Sequence, residues 1–164
     1  MPEKNNAMQV TMPSDREVRV TREFDAPVRL VFDAWTSCEH LPHWLLGPDG
    51  WTMPACEIDL RPGGKWRFGW QHPEKPAFAM HGVYREIEKP ARIVFTESME
   101  GHPGETLNTL EFLDTGGKTT MSMTILYASK EMREMILKTG MLRGVERSFE
   151  RLAERVESGS RTCA

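Results

Sequence analysis

The chain has 164 residues, 39% of them hydrophobic, and its 21 basic and 24 acidic side chains leave a formal charge of −3. That length supports a buried core in one domain without metal or disulfide staples, and the balanced charge gives no field for nucleic acid or an anionic membrane. No unbroken apolar run is longer than Ile125–Ala128, far too short to cross a bilayer.

The first sixteen residues, MPEKNNAMQVTMPSDR, are polar and hold no apolar signal segment, so they are expected to be a flexible lead. Cys38, Cys56 and Cys163 form an odd set with no CxxC spacing. That argues against a disulfide framework and a zinc ribbon, and for a reducing cytoplasm. Val18, Val20 and Phe24 alternate with charged residues, which predicts a strand. Asp25-Ala26-Pro27 offers a helix start, and Val28, Val31, Phe32 and Trp35 follow at helical spacing. Pro42 ends this helix or separates it from a short one through Leu46.

Strands dominate the middle. Residues 51–60 are extended, Arg61-Pro62-Gly63-Gly64 turns the chain, and Trp66, Phe68 and Trp70 alternate with Lys65, Arg67 and Gly69. Further strands are expected at 78–88, 93–98, 106–113 and 119–127, with polar or Gly-containing turns between them. Consecutive strands with short connections imply an antiparallel meander. Leu142, Val145, Phe149, Leu152 and Val156 then draw one apolar stripe on a long helix. Met132 to Ile136 extend it upstream, Ser129 is a candidate cap, and Gly140 and Gly144 mark a bend or a close approach. The single domain is expected over 17–157, with 158–164 a flexible tail.

These segments carry a resemblance. EVRVTREFDAPVRLVFDAWTSCEHLPHWLLGP (17–48) resembles the opening of the START-like, or SRPBCC, helix-grip superfamily. WTMPACEIDLRPGGKWRF (51–68), HGVYREIEKPARIVFTES (81–98), TLEFLDTGGKTTMSMT (109–124) and GMLRGVERSFERLAERV (140–156) resemble one branch of it, the C-terminal domain of the activator of heat-shock-protein-90 ATPase. The resemblance implies an α+β fold: a curved antiparallel sheet of about seven strands around a long C-terminal helix, with short helices after the first strand. It also implies a hydrophobic cavity between sheet and helix. Where this branch usually reads Gly-Trp in the final helix, the chain has Gly144-Val145, and the smaller side chain enlarges or reshapes the cavity.

The candidate ligand-binding residues are Trp44, Trp66, Phe68, Trp70, Tyr84, Phe95, Met121, Met123, Met141, Val145 and Phe149, wide apolar groups with adaptable methionines among them. Cys38, Glu39, His40 and His43 have metal-ligand chemistry, but Pro42 interrupts their helix, and no metal is assigned. His81, Tyr84, Glu86 and Glu97 are the candidate acid–base groups. Strand parity puts Tyr84 and Glu86 on one face and His81 on the other, which weakens any His–Glu dyad. Nucleophile, phosphate-loop and dinucleotide motifs are lacking, so no catalytic residue and no cofactor is assigned. Arg143, Arg147, Arg151 and Arg155, flanked by Glu146, Glu150 and Glu154, read as a solvated helix face.

The expected function is binding of a small hydrophobic or aromatic molecule, for sequestration, transport or sensing, by a monomer or homodimer. The rivals are a cyclase- or hydrolase-like enzyme using the same cavity, and a protein-interaction module making a chaperone contact.

Overall fold

The computed structural model describes residues 7–162, so part of the expected lead (1–6) and the last two residues of the expected tail lie outside the described residues. The chain runs β1 (Gln9–Thr11), β2 (Glu17–Phe24), α1 (Val28–Thr36), α2 (Leu41–Trp44), β3 (Thr52–Ile58), β4 (Lys65–Gln71), β5 (Phe78–Glu88), β6 (Arg92–Met99), β7 (Thr106–Asp114), β8 (Thr119–Leu126), α3 (Lys130–Leu137) and α4 (Met141–Thr162). One 8-stranded antiparallel sheet has the order β1-β2-β8-β7-β6-β5-β4-β3. The meander therefore runs from β3 to β8, and β2 closes onto the last strand of it. This is the expected α+β helix-grip architecture, with one strand more than about seven. The extra one is β1, inside the segment expected to be a loose lead, where Val10 pairs with Val20. Its three residues are exposed, so no apolar alternation announces them.

Period-two patterning fixes the inner face of the sheet. Val18, Ile125, Asn108, Phe95 and Tyr84 pair in turn across β2, β8, β7, β6 and β5. Val20, Met123, Leu110 and Ile93 form the next row. A register shift in β5 between Tyr84 and Glu86 inserts an extra residue, and this bulge defeats simple parity. Tyr84 is buried inward, whereas Glu86 is exposed 3.6 Å from Arg92. The two do not share a face.

The helices close the inner face unevenly. Pro27 holds the N-cap position of α1 without a side-chain capping bond, and the Asp25 amide donates to Glu157 on α4. Along α4, Phe149, Leu152 and Val156 are buried against the core, and Phe149 meets Phe24 and Trp35 edge-on at 6.3 and 6.2 Å. The half of α4 nearer its start, with Met141, Leu142 and Val145, is only half-buried. The upstream extension is a separate helix: Ser129 caps α3 by accepting from the Met132 amide at 3.1 Å, and the chain breaks at Gly140, whose φ is +80°. Gly144 lies within α4, where a Cβ would stand 3.2 Å from Pro48 Cδ, so it serves close approach. Helix α4 continues to Thr162, past the end of its apolar stripe and into the expected tail.

Cys38 and Cys56 form a disulfide with 5.7 Å between Cα atoms, joining the α1–α2 connection to β3. The pairing overturns the expectation of no disulfide, because the fold brings together two cysteines 18 positions apart that no sequence motif links. With this pairing the cysteines no longer argue for a reducing compartment. Among the described residues, no helix is long and apolar enough to cross a membrane.

Candidate functional site

A cavity of about 610 Å³ lies between α4 and the inner face of strands β4–β8. Its wall on β4 and β5 is aromatic. Trp66 packs against Phe68 at 4.8 Å and against Phe95 at 5.7 Å, and Trp70 stacks on Phe78 at 5.1 Å with 20° between planes. These side chains share one face because β4 alternates and Gly82 lies opposite Trp66 on β5. A Cβ at Gly82 would fall 1.7 Å from the Thr96 carbonyl oxygen and 2.6 Å from Trp66 Nε1. That indole crosses the bare glycine and donates to the same carbonyl at 3.2 Å.

The opposite wall is α4, through Met141, Val145 and Phe149, and the floor comes from β6–β8, through Phe95 and Met123. Pro48, Lys75, Thr139 and Gly140 line the cavity and are exposed, so its mouth opens between the turn after α2, the β4–β5 connection and the α3–α4 joint. Hydrogen bonds fix that rim. Trp70 Nε1 donates to the Leu45 carbonyl at 2.8 Å, and the Gly47 amide donates to Ser148 Oγ at 2.8 Å. Arg151 donates to the Gly47 carbonyl at 2.6 Å and, with Arg147, to Asp49. Arg155 donates to His40 Nδ1 at 3.0 Å. The arginine row is thus not merely a solvated face, because the turn after α2 folds over this side of α4 and supplies acceptors.

Of the sequence candidates, Trp66, Phe68, Trp70, Tyr84, Phe95, Met123, Met141, Val145 and Phe149 line the cavity. Trp44 and Met121 fill the core instead. Trp44 is fully buried edge-on to Trp35 and donates to the Ala34 carbonyl, and Met121 accepts from Trp35 Nε1 at 2.9 Å. Helix α1 covers that part of the sheet, which strand parity alone does not reveal. Trp35, Trp51, Phe78 and Asn108 also line the cavity and were missed. Phase within β7 could have found Asn108, since it alternates with buried Leu110 and Phe112.

The cavity's polar groups are few. Glu97 follows Ile93 and Phe95 along the inner face of β6, and burial pushes its carboxyl up to about 7. Among the described residues no donor is hydrogen-bonded to that carboxyl, and none pairs with it as a cation. Asn108 Nδ2 donates to Thr106 Oγ1 at 2.9 Å, which leaves Oδ1 as an acceptor. Burial also raises the Tyr84 phenol above its ordinary range. Tyr127 is pushed up to about 12, first by burial and then by the Glu97 charge. His81 is exposed, with Nδ1 3.9 Å from Glu100, and stands away from this group. Cys38 is committed to Cys56 and His40 to Arg155, and among the described residues no three metal-ligating side chains converge.

An eight-stranded sheet gripping one long helix over an aromatic-lined cavity defines the START-like class. Residues 25–157 match the family model described as Activator of Hsp90 ATPase homolog 1-like protein, and the chain belongs to that family. A Rhodobacter sphaeroides protein of known structure is 29% identical, with a TM-score of 0.87, over 92% of this chain and 98% of its own. A Nitrosomonas europaea protein is 23% identical with a TM-score of 0.80, over 90% and 98%. A Mycobacterium smegmatis protein is 21% identical with a TM-score of 0.81, over 92% and 97%. The last two show likeness of fold alone. No curated protein matches the chain.

Proposed function

We propose that the protein binds a small hydrophobic or aromatic molecule between its sheet and α4, and that it sequesters, carries or senses that molecule without transforming it. The observation that supports this reading is the cavity of about 610 Å³, which lies within the 300–1,000 Å³ typical of ligand sites. Three of its four tryptophans, Trp66, Trp70 and Trp35, spend their N–H groups on Thr96, Leu45 and Met121, so the surface offered to a guest is chiefly apolar. Binding then comes from apolar burial at ~25 cal/mol per Å². A pure interaction module of the chaperone-activator type has no need of such an opening, so chaperone contact is the weaker reading. Native mass spectrometry of freshly purified protein tests the proposal. The expected result is a co-purifying or added small apolar molecule bound one to one. Failure of any apolar compound to bind saturably would count against it.

A further inference from the structure

The cavity holds an acid with no base paired to it. Glu97 and Lys75 are its charged lining residues; Lys75 is exposed at the mouth, whereas Glu97 is half-buried on the inner face of β6. The groups around Glu97 come from every element packed against it. Strand β7 contributes Thr106, its direct partner, and Asn108. Strand β5 contributes Gly82 and the Tyr84 phenol, β4 the Trp66 indole, and the end of β8 the Tyr127 phenol. The residues of α4 that line the cavity are uncharged, and its arginines face the rim or solvent.

The hydrogen-bonding sense of this group is one-sided. The Glu97 carboxylate and Asn108 Oδ1 accept, and the Tyr84 oxygen accepts as well as donates. Asn108 and Tyr84 pair with Phe95 from its two sides, and Glu97 is two residues further along β6. Same-face diagonal neighbours in a sheet lie roughly 7–8 Å apart at the backbone, so one head group can reach more than one of them. Aromatic faces at Trp66, Phe68 and Phe95 stand beside the set. Acceptors with aromatic walls and no cation paired to the Glu97 carboxylate suit a ligand ammonium, which brings N–H donors, a counter-charge and an attraction to ring faces.

We propose that the cavity selects an organic amine, its hydrophobic body packed on the aromatic wall and its protonated nitrogen seated on Glu97 with Asn108 and Tyr84. This rests on the ligand-binding reading above and names the class of ligand. A neutral ligand of the same shape leaves Glu97 without a counter-charge and so favours its protonated form. The two ligand types must therefore respond to pH in opposite directions.

Calorimetric titration with 1-naphthylmethylamine and its neutral analogue 1-ethylnaphthalene, between about pH 5 and pH 8.5, tests the inference. The amine should bind roughly tenfold more tightly per pH unit until Glu97 has ionised near pH 7, then level off, whereas the neutral probe should weaken above pH 7. In Glu97→Gln both slopes should vanish: the amine loses at least about tenfold at pH 8, and the neutral probe keeps its low-pH affinity, which also reports that the variant is folded. Neutral binding without amine preference at pH 8, or an amine slope that survives in Glu97→Gln, would overturn the inference and leave the ligand-binding reading standing. If neither probe binds at any pH, both readings fail.

Discussion

Replacing Glu97 by glutamine should make the unliganded protein more stable at alkaline pH and leave it nearly unchanged in acid. The carboxyl sits at about 7 in the folded chain against an ordinary 4.5, raised by burial. The folded state therefore binds this proton more tightly than the unfolded one. Stability from the protonated carboxyl is fully present below about pH 4.5 and is lost as pH rises through about 7. Each tenfold in that equilibrium is worth ~1.4 kcal/mol, so the ionised carboxyl costs up to about 3 kcal/mol at pH 8. Glutamine keeps the shape, never ionises and escapes the cost. Urea unfolding of both proteins from pH 4.5 to 8.5 reads the difference directly. It should open between about pH 5 and pH 7 and reach about 2–3 kcal/mol in favour of Glu97→Gln. A difference that stays flat across this window would refute the argument, because it would mean that Glu97 ionises as it does in the unfolded chain.

Alkylation in denaturant without reductant should label Cys163 and spare Cys38 and Cys56; labelling of all three would contradict the pairing. Removing the bridge with Cys38→Ser and Cys56→Ser together should cost ~2–4 kcal/mol, read by urea unfolding. Phe149→Ala removes a ring buried between Phe24, Trp35 and the cavity, and should cost ~3–5 kcal/mol in the same assay; a loss below about 1 kcal/mol would mean that the ring is not core. Gly82→Ala puts a methyl on the Thr96 carbonyl and the Trp66 indole. It should give little folded protein on expression, and a well-folded variant with an unchanged melting temperature would contradict the packing of Trp66.

The strands were legible because alternating burial is written into them. Val18 and Val20, and Trp66, Phe68 and Trp70, announce both strand and facing. Strand β1 was not legible, since an exposed edge strand carries no buried face. The bulge that turns Glu86 outward depends on pairing between β5 and β6, which one strand's sequence does not contain. For the same reason the partner of Cys38 was hidden, and so was the role of the arginine row, whose acceptors come from a turn about a hundred residues earlier. Gly140 and Gly144 look alike in sequence, yet one breaks the helix through a left-handed φ and the other admits Pro48. Most of the aromatic lining followed from patterning, whereas the separation of lining from filled core did not. That separation depends on which part of the sheet α1 covers, as Trp44 and Met121 demonstrate.

Titration with an environment-sensitive apolar dye, read through energy transfer from the cavity tryptophans, addresses the central claim most directly. Trp35, Trp51, Trp66 and Trp70 all line the space, and Val145→Trp partly fills it from α4. One dye per chain should bind saturably and transfer efficiently, and the folded Val145→Trp variant should bind it much more weakly. Absence of saturable binding, or equal binding in the two proteins, would mean that the space between sheet and helix admits no guest.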